Sequence, residues 1–320
     1  MKQVVAAVVL VAGTLGMAAA QSYPNKTIRL VTPYAPGGGT DIIARLLAQK
    51  LTENLGQSVV VENRTGGGGI VGTEVAARAA PDGYTILMGT SGPLALNPNL
   101  YSKLPYDVQR DFSPIMLVAT APHLLAVHPS VPARTVKELI AVAKANPGKL
   151  TFSSGGNGGS SHLSGEMFNM LAGVKMLHVP YRGTGPAAIA VVTGEVGLSF
   201  VDVLTTLPHV KSGRVRGLAV SGAKRSAVAP HLPTIMEAGL KGYESGVWYG
   251  VLAPSRTPPE VIGRLNLELS KVIRDGVVST RLTAEGSEVI GGSPEEFSTY
   301  MKAELERWAK VIKVANVRID

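Results

Sequence analysis

A chain of 320 residues with 45% hydrophobic content can bury a full core and is long enough for two domains. With no cysteine it excludes disulfides, a thiolate nucleophile and a cysteine-linked lipid anchor. Its formal charge of +8 is dispersed, with no Lys/Arg run, so no nucleic-acid partner is expected.

Met1 to Ala20 reads as a signal peptide: Lys2 gives the positive start, Val4 to Val11 a short apolar core, and Ala18 and Ala20 the small residues before a cut near Ala20. Removing it leaves 30 basic against 23 acidic residues, or +7. No later stretch approaches the roughly 20 uninterrupted apolar residues of a membrane helix, so a soluble, exported product is expected.

Next comes TPYAPGGGTD, Thr32 to Asp41, between the apolar run Ile28, Leu30, Val31 and a helical pattern with Ile43, Leu46, Leu47, Leu51 and Leu55 on one face. It reads as strand, glycine turn, helix start, a place where main-chain N–H groups converge on an anion. Val59 to Val61, a four-glycine run, a helix and Tyr84 to Met88 continue the βαβ rhythm. Gly67, Gly69 and Gly72 satisfy G-x-G-x-x-G, but no acidic residue ends the next strand to hold a ribose, so no cofactor is expected. Thr90 and Ser91 end that strand and are site candidates, since ligands of α/β sheets lie at strand C-terminal ends.

From Pro122 a strand, a loop and a helix follow, with Thr135 and Glu138 spaced as a capping box; the same order returns near Tyr249, with Thr257 and Glu260 as the box and Pro258 at the first helical position. Between them, LTFSSGGNGGSSHLSGEMFNMLAG repeats the strand, glycine turn, helix chemistry with added hydroxyls, and its helix places Leu163, Met167, Met170 and Leu171 on the apolar side. Two such loops in separate lobes suggest a clamp for a carboxylate, which accepts hydrogen bonds and donates none when ionised. Arg182, after His178 and Tyr181, offers a fork for a second carboxylate. Asp202 is read as meeting a ligand amine or as capping a turn or helix. The last helix opens with Ser293, Pro294 and Glu296, and its Phe297, Met301, Leu305, Trp308 and Ile312 read as core.

No G-x-S-x-G, no H-E-x-x-H and no histidine pair at helical metal spacing is present, so neither catalysis nor a metal is expected. The rival is an exported hydrolase using Ser160, Ser161 or His162; a third reading is a sensor subunit.

P-Y-x-P-G-G-x-x-D at Pro33 to Asp41, ENRTGGGGIVG, APDGYT, YDVQRDFSPI, SSGGNGGSSHL, VPYRGTGPA, GAKRS, LPTIMEAG, WYGVLAP and SPEEF occur in order over nearly the whole mature chain. This set resembles the Bug (TctC-type) family of periplasmic solute-binding proteins of tripartite tricarboxylate transporters. The resemblance implies an α/β, two-lobed Venus-flytrap fold of type II, each lobe a mostly parallel sheet flanked by helices, closing on a small mono-, di- or tricarboxylate or amino acid for delivery to membrane permease subunits. A monomer is expected. By position it implies ligand contacts, partly through ordered waters, at Tyr34, Pro36, Gly37, Gly38, Thr40 and Asp41 on one side and Ser154, Gly155, Asn157, Gly158 and Ser160 on the other. Gly159 departs from the pattern, standing where the family often has serine. Thr90, Ser91, Tyr181, Arg182 and Asp202 are expected to set specificity. Residues 22–124 with 228–320 are expected to form one lobe and 125–227 the other, with the second crossing anywhere from Leu218 to Leu252.

Overall fold

The computed structural model describes residues 23–284 and 286–315; the expected signal peptide lies outside the described residues. Strands β1 (Ile28–Thr32), β2 (Val59–Asn63) and β3 (Thr85–Thr90) run parallel, and β4 (Phe112–Ala121) carries the chain out of this first sheet. The helix Gly39–Leu55 covers one face because Ile43, Leu47 and Leu51, spaced four apart, all reach the core. Gly56 ends that helix in the left-handed region at φ 66°, its N–H returning to the Thr52 carbonyl.

After Pro122 the second sheet begins: β5 (His123–Val127), β6 (Thr151–Ser154), β7 (Leu177–Pro180), β8 (Leu198–Asp202) and β9 (Arg216–Val220), in the order β7-β6-β8-β5-β9. The chain then stays with this sheet for a further stretch: Ile235, Leu240 and Tyr243 are buried together with Leu218 and Phe168. It rejoins the first sheet with β10 (Val247–Pro254) and β11 (Glu288–Val289), giving the order β11-β4-β10-β3-β1-β2. Three hinge segments are tied together: the Ser221 hydroxyl accepts from His123 N at 2.7 Å and donates to the Ser245 carbonyl at 2.7 Å.

The sheets are mixed, which corrects the expectation of mostly parallel pairing. Parallel ladders are confined to β1 with β2 and β3, and to β6 with β7 and β8; β10 pairs antiparallel with β3 and β4, and β5 antiparallel with β8 and β9. The reason is the crossing itself. A strand that leaves one lobe and a strand that returns to it pass the hinge in opposite senses.

Two local readings also change. Thr257 does not cap a helix: its hydroxyl turns back to the Pro254 carbonyl at 2.7 Å, and the helix starts one residue later than expected, at Pro259. In the helix Ser160–Ala172, Met170 and Leu171 are exposed, while Ser161, Ser164, Gly165 and Phe168 face the sheet. Small residues win there because the helix lies hard against the Phe152 ring, into which a Cβ on Gly165 would run. The closing helix Pro294–Ala315 behaves as its sequence reads: Ser293 and Glu296 form a reciprocal capping box, and Phe297, Met301, Trp308 and Ile312 are buried.

Candidate functional site

The lobes meet through main chain. Ala35 N donates to the Arg182 carbonyl at 2.8 Å, and Gly39 N to the Thr184 hydroxyl at 3.3 Å. Glycines permit this approach: a Cβ on Gly38 would lie 2.5 Å from Thr184 Oγ1 and 3.1 Å from Gly185 N, and one on Gly68 would overlap the Asn157 carbonyl.

Beside these contacts is a small cavity lined by Tyr34, Thr40, Thr90, His123, Gly155, Gly159, Ser160, Ser161, Thr184, Asp202, Val247 and Tyr249. It encloses about 20 Å³, on the order of one water, so a ligand with several heavy atoms enters with the lobes parted. Helices starting at Gly39, Ser160 and Thr184 open beside it, each with a glycine at the N-cap and no side-chain cap. Gly39 N is taken by the Thr184 hydroxyl, while the other first-turn N–H groups, with no side-chain cap, keep capacity for an acceptor. A groove of about 700 Å³ lies elsewhere, on the hinge side, and is larger. Its lining balances Lys224, Arg225 and Arg307 against Glu244, Glu288 and Glu304 and includes no uncapped helix start, so it lacks the donor convergence of the smaller space.

Of the residues singled out from sequence, Tyr34, Thr40, Thr90, Gly155, Ser160 and Asp202 line this cavity. Gly38 closes its rim. Pro36, Gly37 and Asn157 are exposed, and Gly158 packs against Asn97. Ser91 is buried beside Thr90 with its hydroxyl unpartnered among the described residues. Ser154 turns inward, its hydroxyl 2.6 Å from His178 Nε2 and accepting from Gly156 N at 3.1 Å. Tyr181 points to Glu195 at 2.8 Å and the Arg182 side chain is exposed, so neither stands in the cavity. The carbonyl of Arg182, not its guanidinium, makes the cross-lobe contact.

Asp41 shapes the opening loop from within. Its carboxylate accepts from Gly37 N at 3.0 Å, Asn63 Nδ2 at 2.9 Å and Arg45 Nε at 2.9 Å. Burial alone would raise its pKa, but the bonds from Arg45, Asn63 and Gly37 outweigh that and hold it below the usual value of 3.8. The stability so supplied is fully present above 3.8 and lost as pH falls through the lowered folded value. Asp41→Ala is expected to cost about 1–3 kcal/mol at neutral pH, because Gly37 N, the half-buried Asn63 amide and Arg45 all lose a charged acceptor. Chemical denaturation should show the deficit at pH 7 and a shrinking difference from wild type as acid protonates the native carboxylate; a deficit that does not shrink assigns it to packing.

His123, Thr184, Val247 and Tyr249 were not singled out from sequence. His123 stands at the first crossing, its Nε2 3.2 Å from Ser160 Oγ and its Nδ1 2.9 Å from Ser164 Oγ, and burial pushes its pKa down to about 3. His162 accepts from Gly158 N at 3.2 Å and stacks on His178 with ring centroids 3.8 Å apart, a neutral pair that braces the glycine-serine turn; burial pushes His162 down to about 4. Only the placement of Pro122 before a strand marked the hinge in the sequence. Nothing there tied His123 to Ser160, 37 residues on.

The tripartite tricarboxylate transporter family receptor (TctC) profile matches residues 43–317. A relative from Pseudomonas sp. (strain P51), the UPF0065 protein in the tcbD-tcbE intergenic region, is 41% identical over 292 residues, 91% of this chain and 87% of that protein. The structure of a periplasmic transporter, 39% identical, superimposes with a TM-score of 0.91 over 93% of this chain and 100% of its own. That of Rpa4515 from R. palustris with adipate, 38% identical, gives 0.90 over 92% and 99%.

Proposed function

Because the chain belongs to the tripartite tricarboxylate transporter receptor (TctC) family, we propose that it is a periplasmic solute-binding protein that captures a small organic carboxylate between its lobes and presents the closed form to membrane permease subunits. The observation that carries this reading is the meeting of three helix starts, from both lobes, with no side-chain cap at one hydroxyl-lined cavity. An acceptor placed there satisfies donors on both sides at once. Such a ligand prefers the closed state, and that difference drives closure. If charge-assisted bonds of about 1.5–3 kcal/mol each leave roughly 8 kcal/mol after the ordering cost, affinity is micromolar.

The binding set in this proposal is Tyr34, Gly38, Thr40, Thr90, Gly155, Ser160 and Asp202, joined by His123, Thr184 and Tyr249, with Asp41 and Ser154 as positioning residues. The lobe assignment follows the sheets, with residues 23–121 and 247–315 in one lobe and 123–243 in the other.

The protein is proposed not to be an enzyme. The Ser160–His123 pair is the serine–histidine arrangement inside the cavity that favours a hydrolase, and two features oppose it. The second ring nitrogen meets a serine and no carboxylate, and a base pushed down to about 3 takes a hydroxyl proton poorly. Sensing through a receptor uses the same binding step; uptake by a deletion strain separates it from transport.

Ligand screening by thermal shift tests capture. A carboxylate at about 100 times its Kd stabilises the protein by about 2.7 kcal/mol, an upward move in Tm on the order of 5 °C or more. No shift across mono-, di- and tricarboxylates and amino acids overturns the reading.

A further inference from the structure

The Ser160 hydroxyl lines the cavity, and what it offers a ligand depends on where its hydrogen points. Its hydrogen-bond neighbour among the described residues is the His123 ring, with Nε2 at 3.2 Å. That ring is 1% exposed, and its other nitrogen, Nδ1, lies 2.9 Å from Ser164 Oγ. A neutral imidazole carries one hydrogen, so the neighbours decide which nitrogen has it. The ring is also fixed from its own main chain: His123 N donates to Ser221 Oγ, and Ser221 to the Ser245 carbonyl, so both chain crossings hold its place.

Ser164 has one hydrogen and two oxygens to receive it. Its hydroxyl donates toward the Ser160 carbonyl and the Ser245 hydroxyl, each at 2.8 Å. The Ser245 hydroxyl points on to the Tyr243 hydroxyl at 3.5 Å, and Tyr243 donates to the Ser164 carbonyl at 2.9 Å. With its hydrogen committed to oxygen, Ser164 turns a lone pair to the ring, and Nδ1 supplies the hydrogen of that contact. Nε2 is then a bare acceptor. A buried acceptor left without a donor is costly, and the Ser160 hydroxyl is the donor within reach.

We propose that His123 is a positioning residue that draws the Ser160 hydrogen out of the cavity, so that Ser160 meets a ligand as an acceptor. The consequence rests on the carboxylate-capture reading above and deepens it. An ionised carboxylate donates nothing, so it has no bond to make with an oxygen turned this way. Its charge is held by the main-chain N–H groups at the helix starts, and the Ser160 oxygen is left for a bridging water or a ligand hydroxyl. The ring fixes a direction and does not take the proton.

Long-range proton–nitrogen correlation NMR on the full chain, labelled with nitrogen-15 histidine and free of ligand, reads the hydrogen directly. Among the six histidines the ring is assigned by His123→Gln, which removes its signals, or by Ser160→Ala, so one unfolded variant does not remove the test. The expected spectrum has the hydrogen on Nδ1 and a bare Nε2. In Ser160→Ala the Nε2 resonance should move toward that of a bare nitrogen with no donor, and in Ser164→Ala the population should shift toward the form protonated on Nε2. A wild-type ring protonated on Nε2, or an Nε2 signal that Ser160→Ala leaves in place, overturns the proposal and leaves capture standing. Isothermal titration with adipate, succinate and L-malate adds a second readout: for a probe that binds, Ser160→Ala should weaken binding by less than about tenfold. A larger loss marks a bond donated to the charged carboxylate and overturns the proposal. Binding of none of the three counts against capture alone, and the NMR result then decides the direction of the Ser160 hydrogen.

Discussion

Gly38→Ser is expected to weaken ligand binding roughly 100-fold, about 3 kcal/mol, while leaving the unliganded protein as stable as wild type or slightly more so. Gly38 sits at the N-cap of the Gly39–Leu55 helix with φ −89° and ψ 169°, extended backbone that serine adopts without strain. A serine hydroxyl there caps the helix, which favours the folded chain by a few tenths of a kcal/mol over glycine. The same side chain opposes closure twice. Its Cβ meets Thr184 Oγ1 and Gly185 N across the cleft, and its oxygen occupies N–H groups proposed for the ligand. Titration calorimetry and differential scanning calorimetry on the same preparation should therefore move in opposite directions. Wild-type affinity in Gly38→Ser would place the ligand away from this helix start.

Phe152→Ala is expected to cost about 3–5 kcal/mol and to lower Tm by roughly 10 °C. The ring is fully buried in the second lobe, with centroids 6.1 Å from Phe200 and 5.0 Å from His178. It is also the surface against which Gly165 brings the Ser160 helix close. Removing it loosens the wall behind the Ser153–Gly159 turn, so affinity should fall together with stability, and Phe152→Leu should recover most of both. A loss below about 1 kcal/mol on chemical denaturation would mean that the site collapses around the missing ring, contrary to the close packing of the helix against it.

The order of strands and helices was legible because it rests on local chemistry. Ile43, Leu47 and Leu51 repeat at helical spacing, Gly56 stops the chain that they started, and Ser293 with Glu296 declares a helix start within four residues. Both glycine turns were readable for the same reason. Tyr34, Thr40, Gly155 and Ser160 lie inside or beside those turns and line the cavity. An arginine after a strand end looks like a fork for an anion, and nothing local says that the Arg182 carbonyl is what crosses the cleft.

What the sequence determined by itself is the set of pieces and the family they spell: the two glycine turns, the helices behind them, and the pattern shared with the TctC receptors. What only the tertiary structure decided is which side chains face one another across the closed cleft. His123, Thr184, Asp202 and Tyr249 come from four distant stretches and share one cavity only because strands pass the hinge in both directions and fold the lobes together. Contacts of that kind depend on where rigid bodies meet, a geometry that no local spacing encodes.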